Sequence, residues 1–351
     1  MPVQFLLAWE PVDELHWLLA PRRPRDWATH VVQCQGGFFH SPAGLSVASP
    51  RGEPLFGVLR QAGQVVGIAA GVETRCRLSF HARHIYWPTV PALATLPDRD
   101  AALMALVRAC GAVGAAEVVV DSFDATWEPG LGPAHDGLAS PPRQEYIVPL
   151  DSSADEIVAR QDATHRRHWR RGEREGWVLH CLDEEAGLAA LEEVQAAGVR
   201  RAAARDVGGT GRDNGGPMHA PAADFAAPWG TRVLSAWSNG DLLAAALVGW
   251  GNRRGFYVRG GSSPLGYERS AAVWLHGRIM ALLLEHGCVA YNLGGTAAAA
   301  AHPEHAEHGL HRFKAGFGGK VVSCRGARWE LRPGHLRVHE LVRWASSPLR
   351  R

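Results

Sequence analysis

Lysine is almost missing from this chain. Of 37 basic residues among 351, only two are lysines, Lys314 and Lys320, and both lie in the segment HRFKAGFGGK. Lysine carries a compact ammonium whose pKa moves readily on burial, so a position that keeps it among so many arginines is a candidate for chemistry or close phosphate contact. Cysteine is sparse too. Cys34, Cys76, Cys110, Cys181, Cys288 and Cys324 are far apart with no C-x-x-C pair, which argues against a disulfide framework or a cysteine zinc site. The longest apolar stretch, around Leu242 to Trp250, is about half a membrane span, and Glu10, Asp13 and Glu14 interrupt the first twenty residues. Neither stable membrane insertion nor a signal peptide is expected, and a soluble cytoplasmic protein follows. A net charge of +2 is too balanced for a nucleic-acid coat but leaves room for one local basic patch.

What is present is an ordinary globular composition, 46% hydrophobic and 21% charged, long enough for two domains. The chain also repeats itself. Residues 63–123 read as strand GQVVGIAAGVE, strand RLSFHARHIYWP, helix DRDAALMALVRACGAVG and strand EVVVDSF. Residues 240–295 give the same order, from GDLLAAALVGW through RGFYVRGGSS and ERSAAVWLHGRIMALLLEHG to VAYNLGG. Two β-β-α-β units so far apart point to duplication. The turn-rich stretch GLGPAHDGLASPPR places the boundary near Leu150, giving domains 1–150 and 151–351.

A basic segment opens the second half. Between residues 152 and 175 a helix is predicted that carries Arg160, Arg166, Arg167, Arg170, Arg171 and Arg174. Arg160, Arg167, Arg171 and Arg174 would share one side of it, with Arg166 and Arg170 beside them. Like charges at this spacing repel, and a bound polyanion would relieve them; a solvated arginine-rich surface is the plainer alternative.

A hairpin feeding a helix and then a parallel strand is the arrangement of GNAT acyltransferases. Its duplication, with the basic helix ARQDATHRRHWRRGEREGW, the passage YVRGGSSPLGYERSAAVWLHGRIM and the run YNLGG…GLHRFKAGFGGKVV, resembles the Fem-type aminoacyl-tRNA-dependent peptidyltransferases. The resemblance spans roughly residues 30–330 and is strongest after residue 145. It implies an α/β fold of two tandem GNAT-like acyltransferase domains, with mixed central sheets flanked by helices. It also implies amide formation from aminoacyl-tRNA onto an amine of a peptidoglycan precursor or a peptide-like natural product, with no cofactor. In that family the F-K pair, here Phe313 and Lys314, belongs to the active cleft. Its lysine contacts the phosphate-ribose end of the donor and stabilises the oxyanion, while Lys320 would face phosphate from a turn.

Acyl-CoA is the alternative donor, and a non-catalytic RNA-binding or scaffold protein is a second alternative. A CoA-binding GNAT loop presents glycine-rich backbone to the pyrophosphate. Here the second half offers SSPLGYERSAA with Gly266 alone, and the first half offers VPALATLPDRDAA with Asp98 and Asp100 near the helix start. Both weigh against CoA.

Gly294 and Gly295 end the last repeat strand and permit a tight exit over the splayed sheet centre, with Asn292 just before them. Phe313 and Lys314 are expected to lead the next strand back past that point. Asp121, Asp124 and Tyr257 are candidate bases, and Tyr257 with Arg259, alternating to one face, could hold a substrate carboxylate or phosphate or serve in cross-strand pairing. His302, His305, His308 and His311 recur every third residue, but Pro303 and Gly309 break the segment, so no metal is expected. Ser41, Ser152 and Cys34 lack the histidine and aspartate framework of a nucleophilic triad.

Overall fold

The structure, a computed structural model, describes residues 15–48, 52–76, 82–93, 96–125, 127–130, 137–204 and 223–332. The first half runs β1 (His16–Ala20), α1 (Trp27–Gln33), α2 (Pro42–Ala48), β2 (Glu53–Gln61), β3 (Gln64–Cys76), β4 (Ala82–Trp87), β5 (Ala92–Leu93), α3 (Arg99–Ala112), β6 (Ala115–Val120) and β7 (Leu138–Ala139). The second begins with β8 (Arg143–Pro149), α4 (Ala154–Ala159), α5 (Ala163–Arg174), β9 (Val178–Leu182), α6 (Glu184–Ala204), β10 (Trp229–Ser238) and β11 (Asp241–Gly251). It continues with β12 (Arg254–Ser262), α7 (Pro264–Arg269), α8 (Ala271–Glu285), β13 (Ala290–Ala297), α9 (His308–Ala315), β14 (Lys320–Cys324) and β15 (Ala327–Glu330).

The two repeats keep the order the periodicity predicts, but the second helix, expected to run unbroken from Glu268, is split at Ser270 (φ +58°) into α7 and α8. Ala62-Gly63 and Asn239-Gly240, all at positive φ, make matching two-residue turns into β3 and β11. Such left-handed pairs suit the twist of a hairpin, and glycine takes the second position without strain. The strand after each repeat helix then pairs in parallel, β6 with β4 and β13 with β12. Leu103, Leu106 and Cys110 of α3 bury against Ile85, Trp87, Val118 and Val120. Trp274, Leu275, Ile279 and Leu283 of α8 do the same against Val248, Tyr291 and Leu293. Each such side chain, fully buried, contributes about 1.5–3 kcal/mol.

The sheets do not divide at Leu150. Strand β8 lies between β14 and β13 in the second sheet, ordered β14-β8-β13-β12-β11-β10-β9. Strand β15 crosses back to pair with β6 and β7 in the first. The halves therefore exchange a strand at the chain's far end, a long-range pairing that local turn signals do not encode.

The basic segment 152–175 is two helices rather than one. A capping box between Ser153 and Glu156 starts α4, and the Asp162 carboxylate accepts from His165 N to start α5. The break is fixed from outside, because Asp162 N donates to Gly316 O at 2.9 Å. Phe313 and Lys314 likewise lie near the end of helix α9, not on a returning strand.

Candidate active site

Parallel pairing between β12 and β13 stops after three residue pairs, at Phe256 and Asn292. The strands part there because Gly294 N turns to the side-chain oxygen of its own strand's Asn292, at 2.8 Å, while Gly294 itself adopts φ +70°. The first half shows the contrast. Its β4–β6 seam pairs as far as Trp87 and Val120 and is prolonged by Asp121 N to Trp87 O (2.8 Å) and Phe123 N to Pro88 O (3.1 Å). One seam is closed by backbone hydrogen bonds and the other is open.

Lys314 reaches into the open seam. Its Nζ donates to Gly295 O at 2.9 Å, and a Cβ on Gly294 would stand 3.5 Å from that Nζ and 3.4 Å from Tyr257 O. Lys314 is only 5% exposed. Burial pushes its ammonium down to a pKa of about 8, with the Glu145 carboxylate pulling the other way and Arg143 adding to the fall. One N–H is committed to Gly295, which leaves two for a ligand. Lys314 thus meets the Gly294-Gly295 turn from the last turn of α9, which ends at Ala315 with Gly316 as its C-cap.

Behind the opening lies a buried polar network that joins the halves. Asn292 Nδ2 donates to Asp124 Oδ1 at 3.0 Å and to Glu145 Oε2 at 2.7 Å. Arg254 pairs with Asp124 at 2.5 Å, and Arg143 bonds Glu145 and approaches Asp121 at 3.4 Å. Burial raises the Glu145 pKa, opposed by Arg143 and by the Asn292 hydrogen bond. Asn292 thus builds the opening with its amide instead of offering it to a substrate. Asp121 accepts from Tyr86 OH at 3.2 Å and from Arg143, and Asp124 is held by Arg254, so both aspartates among the candidate bases are engaged as partners of cations.

Tyr257 and Arg259 do not share a face. Register shifts between Leu247 and Val248, so that Leu247 opposes Arg259 while Val248 opposes Tyr257. The extra residue, Val258, is a β-bulge, and a bulge inverts the alternation beyond it. Tyr257 packs on the α8 side, edge-on to His276 at 4.6 Å, and burial lifts its pKa to about 12. Arg259 turns toward Glu192 of α6, and its buried Nε has no hydrogen-bond partner among the described residues.

Phe313 is scaffold: its ring meets His165, His276 and Phe317. Its carbonyl oxygen faces His165 Nε2 at 2.9 Å, while His165 Nδ1 faces Asp162 Oδ1 at 3.2 Å, so one imidazole ties α5 to the turn that bears Lys314. The arginines divide. Arg160 is drawn to Asp151, Arg166 to backbone carbonyls of Ala159 and Gln161, and Arg171 to Glu175. Arg167, Arg170 and Arg174 project outward from α5 at spacings of three and four, hence along one stripe. Lys320 begins the exposed edge strand β14.

A Cβ at Gly266 would overlap the Leu243 carbonyl, so this glycine serves helix-to-strand packing. In the first half Asp98 caps α3, and Asp100 accepts from Gly130 N at 2.9 Å, setting carboxylates where a phosphate would need to sit.

Sequence reasoning missed Glu145, Arg143 and His165. Charges within the strand RQEYIVP were the available signal, since a charged residue in a buried strand requires a partner.

The family Acetyltransferase (GNAT) domain matches residues 159–315, which include the open seam and Lys314. Among solved structures the fold is similar to that of FemX, at 14% identity and a TM-score of 0.60, over 85% of this chain and 93% of that one. It is also similar to the C-terminal domain of a protein described as a lysylphosphatidylglycerol synthetase from Agrobacterium fabrum, at 17% identity, a TM-score of 0.52, and 93% and 98% coverage. A conserved protein of unknown function from Bacteroides thetaiotaomicron aligns at 10% identity and a TM-score of 0.51, over 86% and 92%. No curated protein matches the sequence. Among the described residues no helix is long and apolar enough to cross a membrane.

Proposed function

We propose that this chain, whose residues 159–315 match a GNAT domain and whose fold is similar to that of FemX, is an acyltransferase that makes an amide by moving an aminoacyl group from aminoacyl-tRNA to a substrate amine, in a peptidoglycan precursor or a peptide-like natural product. The observation that carries this reading is the buried Lys314 ammonium in the open β12–β13 seam. The acceptor nitrogen attacks the ester carbonyl, forming the C–N bond. Lys314 donates to the carbonyl oxygen as it becomes an oxyanion, a type of interaction often worth several kcal/mol in acyl transfer. Collapse breaks the ester C–O bond, the ribose oxygen takes a proton, and the ammonium proton of the acceptor leaves to water. The exposed stripe Arg167, Arg170 and Arg174 supports a polyanionic donor, and the filled Gly266 position counts against CoA.

The test is direct. Purified protein with an amine acceptor should form amide from aminoacyl-tRNA and not from acyl-CoA. Thermal shift with deacylated tRNA, CoA thioesters and uridine nucleotides separates the donors and acceptors independently of turnover. Amide from acyl-CoA alone would transfer the reading to the CoA-dependent class, and binding of RNA without transfer would make the chain a non-catalytic RNA-binding protein.

A further inference from the structure

Of the four histidines spaced by three, one is built into the site. His305 Nδ1 accepts from Glu307 N at 3.1 Å and His308 Nδ1 lies 3.1 Å from Ala300 O, both local contacts within the preceding turns. His311 instead faces the sheet. Its Nδ1 lies 2.6 Å from Tyr146 OH and 3.2 Å from Gln144 Nε2. Thr296 Oγ1 completes the cluster, 3.0 Å from Tyr146 OH and 3.3 Å from Gln144 Nε2.

Gln144 Nε2 also donates to Tyr146 OH at 2.7 Å, and with the amide nitrogen turned to this cluster the contacts favour one tautomer. An amide NH₂ can only donate, so a hydrogen on His311 Nδ1 would oppose it, whereas a bare Nδ1 accepts from both Tyr146 and Gln144. The proton then sits on Nε2, which has no partner among the described residues. The position matters because His311 stands three residues before Lys314 on α9, one turn away on the same helix face. Their anchors are neighbours on β13, Thr296 for the His311 cluster and Gly295 for Lys314.

We propose that His311 is a second catalytic donor, its Nε2–H directed with the Lys314 ammonium at the oxygen of the acyl donor, and held in that tautomer by Tyr146 and Gln144. This rests on the acyl-transfer reading above. No bond to His311 forms; it stabilises charge as the ester carbonyl becomes tetrahedral, and Tyr146 and Gln144 are positioning residues.

Two readouts test it on the full chain. In ¹⁵N-histidine NMR near neutral pH, with the His311 signals assigned by their loss in His311→Gln, Nε2 should be the protonated nitrogen and should shift on titration with inorganic phosphate. A protonated Nδ1, or no shift of Nε2, overturns the proposal even if the chain transfers no acyl group at all, an outcome that would separately remove the acyl-transfer reading. In single-turnover transfer at saturating aminoacyl-tRNA, His311→Ala should lose at least about tenfold. His311→Gln, whose amide N–H can replace Nε2–H, should recover most of that loss, and His302→Ala, on the exposed turn away from His311, should match the wild type. Equal rates for the wild type and His311→Ala, with folding confirmed by thermal melting, would also overturn it.

Discussion

Gly277 of α8 lies directly beneath the indole of Trp169 on α5, so close that a Cβ there would overlap the ring. Trp274, one turn earlier on α8, stacks on Trp169 with ring centroids 6.4 Å apart and donates to Glu173 at 2.7 Å. Helix α5 is thus pinned by close approach, with its free arginines facing outward. Gly277→Ala should push α5 off its seat, at a cost of about 1–3 kcal/mol in stability, and should raise the apparent donor KM. Thermal unfolding together with a donor titration checks both.

Lys314→Ala should fold and lose about 10²- to 10³-fold in single-turnover rate, the usual cost of removing an oxyanion donor. Lys314→Arg should remain at least about tenfold impaired, because the planar guanidinium is too wide for the space that Gly294 leaves. Wild-type rates in the alanine variant would refute the role.

The same lysine links activity and stability to pH in opposite senses. Its pKa is about 8 in the fold against 10.5 in the unfolded chain. Turnover that needs the ammonium should fall as pH rises through about 8. Below that pH the charge is present in both states and its burial opposes folding. Between about 8 and 10.5 the folded state sheds the proton first, so stability rises with pH. Lys314→Met should therefore be inactive yet more stable at pH 7, by on the order of 3 kcal/mol at about 1.4 kcal/mol per pKa unit. A pH–rate profile and melts of both proteins measure these effects.

Asn292→Ala removes the amide that separates two buried carboxylates and diverts Gly294 N from β12. Leaving Asp124 and Glu145 short of a donor should cost about 3 kcal/mol, recovered in part at lower pH as Glu145 protonates. Denaturant titration at two pH values reads the effect directly.

Arg167 and Arg170 changed together to Ala should weaken donor binding and reduce the slope of log K against log salt by about 0.7–0.9 for each lost phosphate contact. Arg160→Ala should leave that slope unchanged, since its guanidinium is occupied by Asp151, Ser152 and Pro149. Binding isotherms across a salt series distinguish the two.

The duplicated hairpin, helix and parallel strand were legible because period-two and period-3.6 patterns are local. Lys314 stood out through the scarcity of lysine and the resemblance of its F-K pair to the Fem-type motif, and the structure sets it against the Gly294-Gly295 turn. What lay beyond reach depended on partners distant in sequence. One inserted residue at Val258 turned Arg259 to the opposite face, and no composition signal marks a bulge. The break in the basic segment follows from Asp162 bonding to Gly316, more than 150 residues later. Asp121 resembled a base until Arg143 and Tyr86 were seen to hold it.

Strand β15 gives the order of synthesis a physical meaning. Residues 327–330 complete the first sheet beside β6, with Ala327 opposite Val120 and Glu330 opposite Glu117. A ribosome delivers those residues only after nearly the whole second half has emerged, so the first sheet waits, with Val118 and Val120 of β6 lacking their neighbour on that edge. An unpaired strand edge of this kind invites association with other chains. The newborn protein therefore carries an unpaired edge on one of its earlier-made strands until β15 arrives.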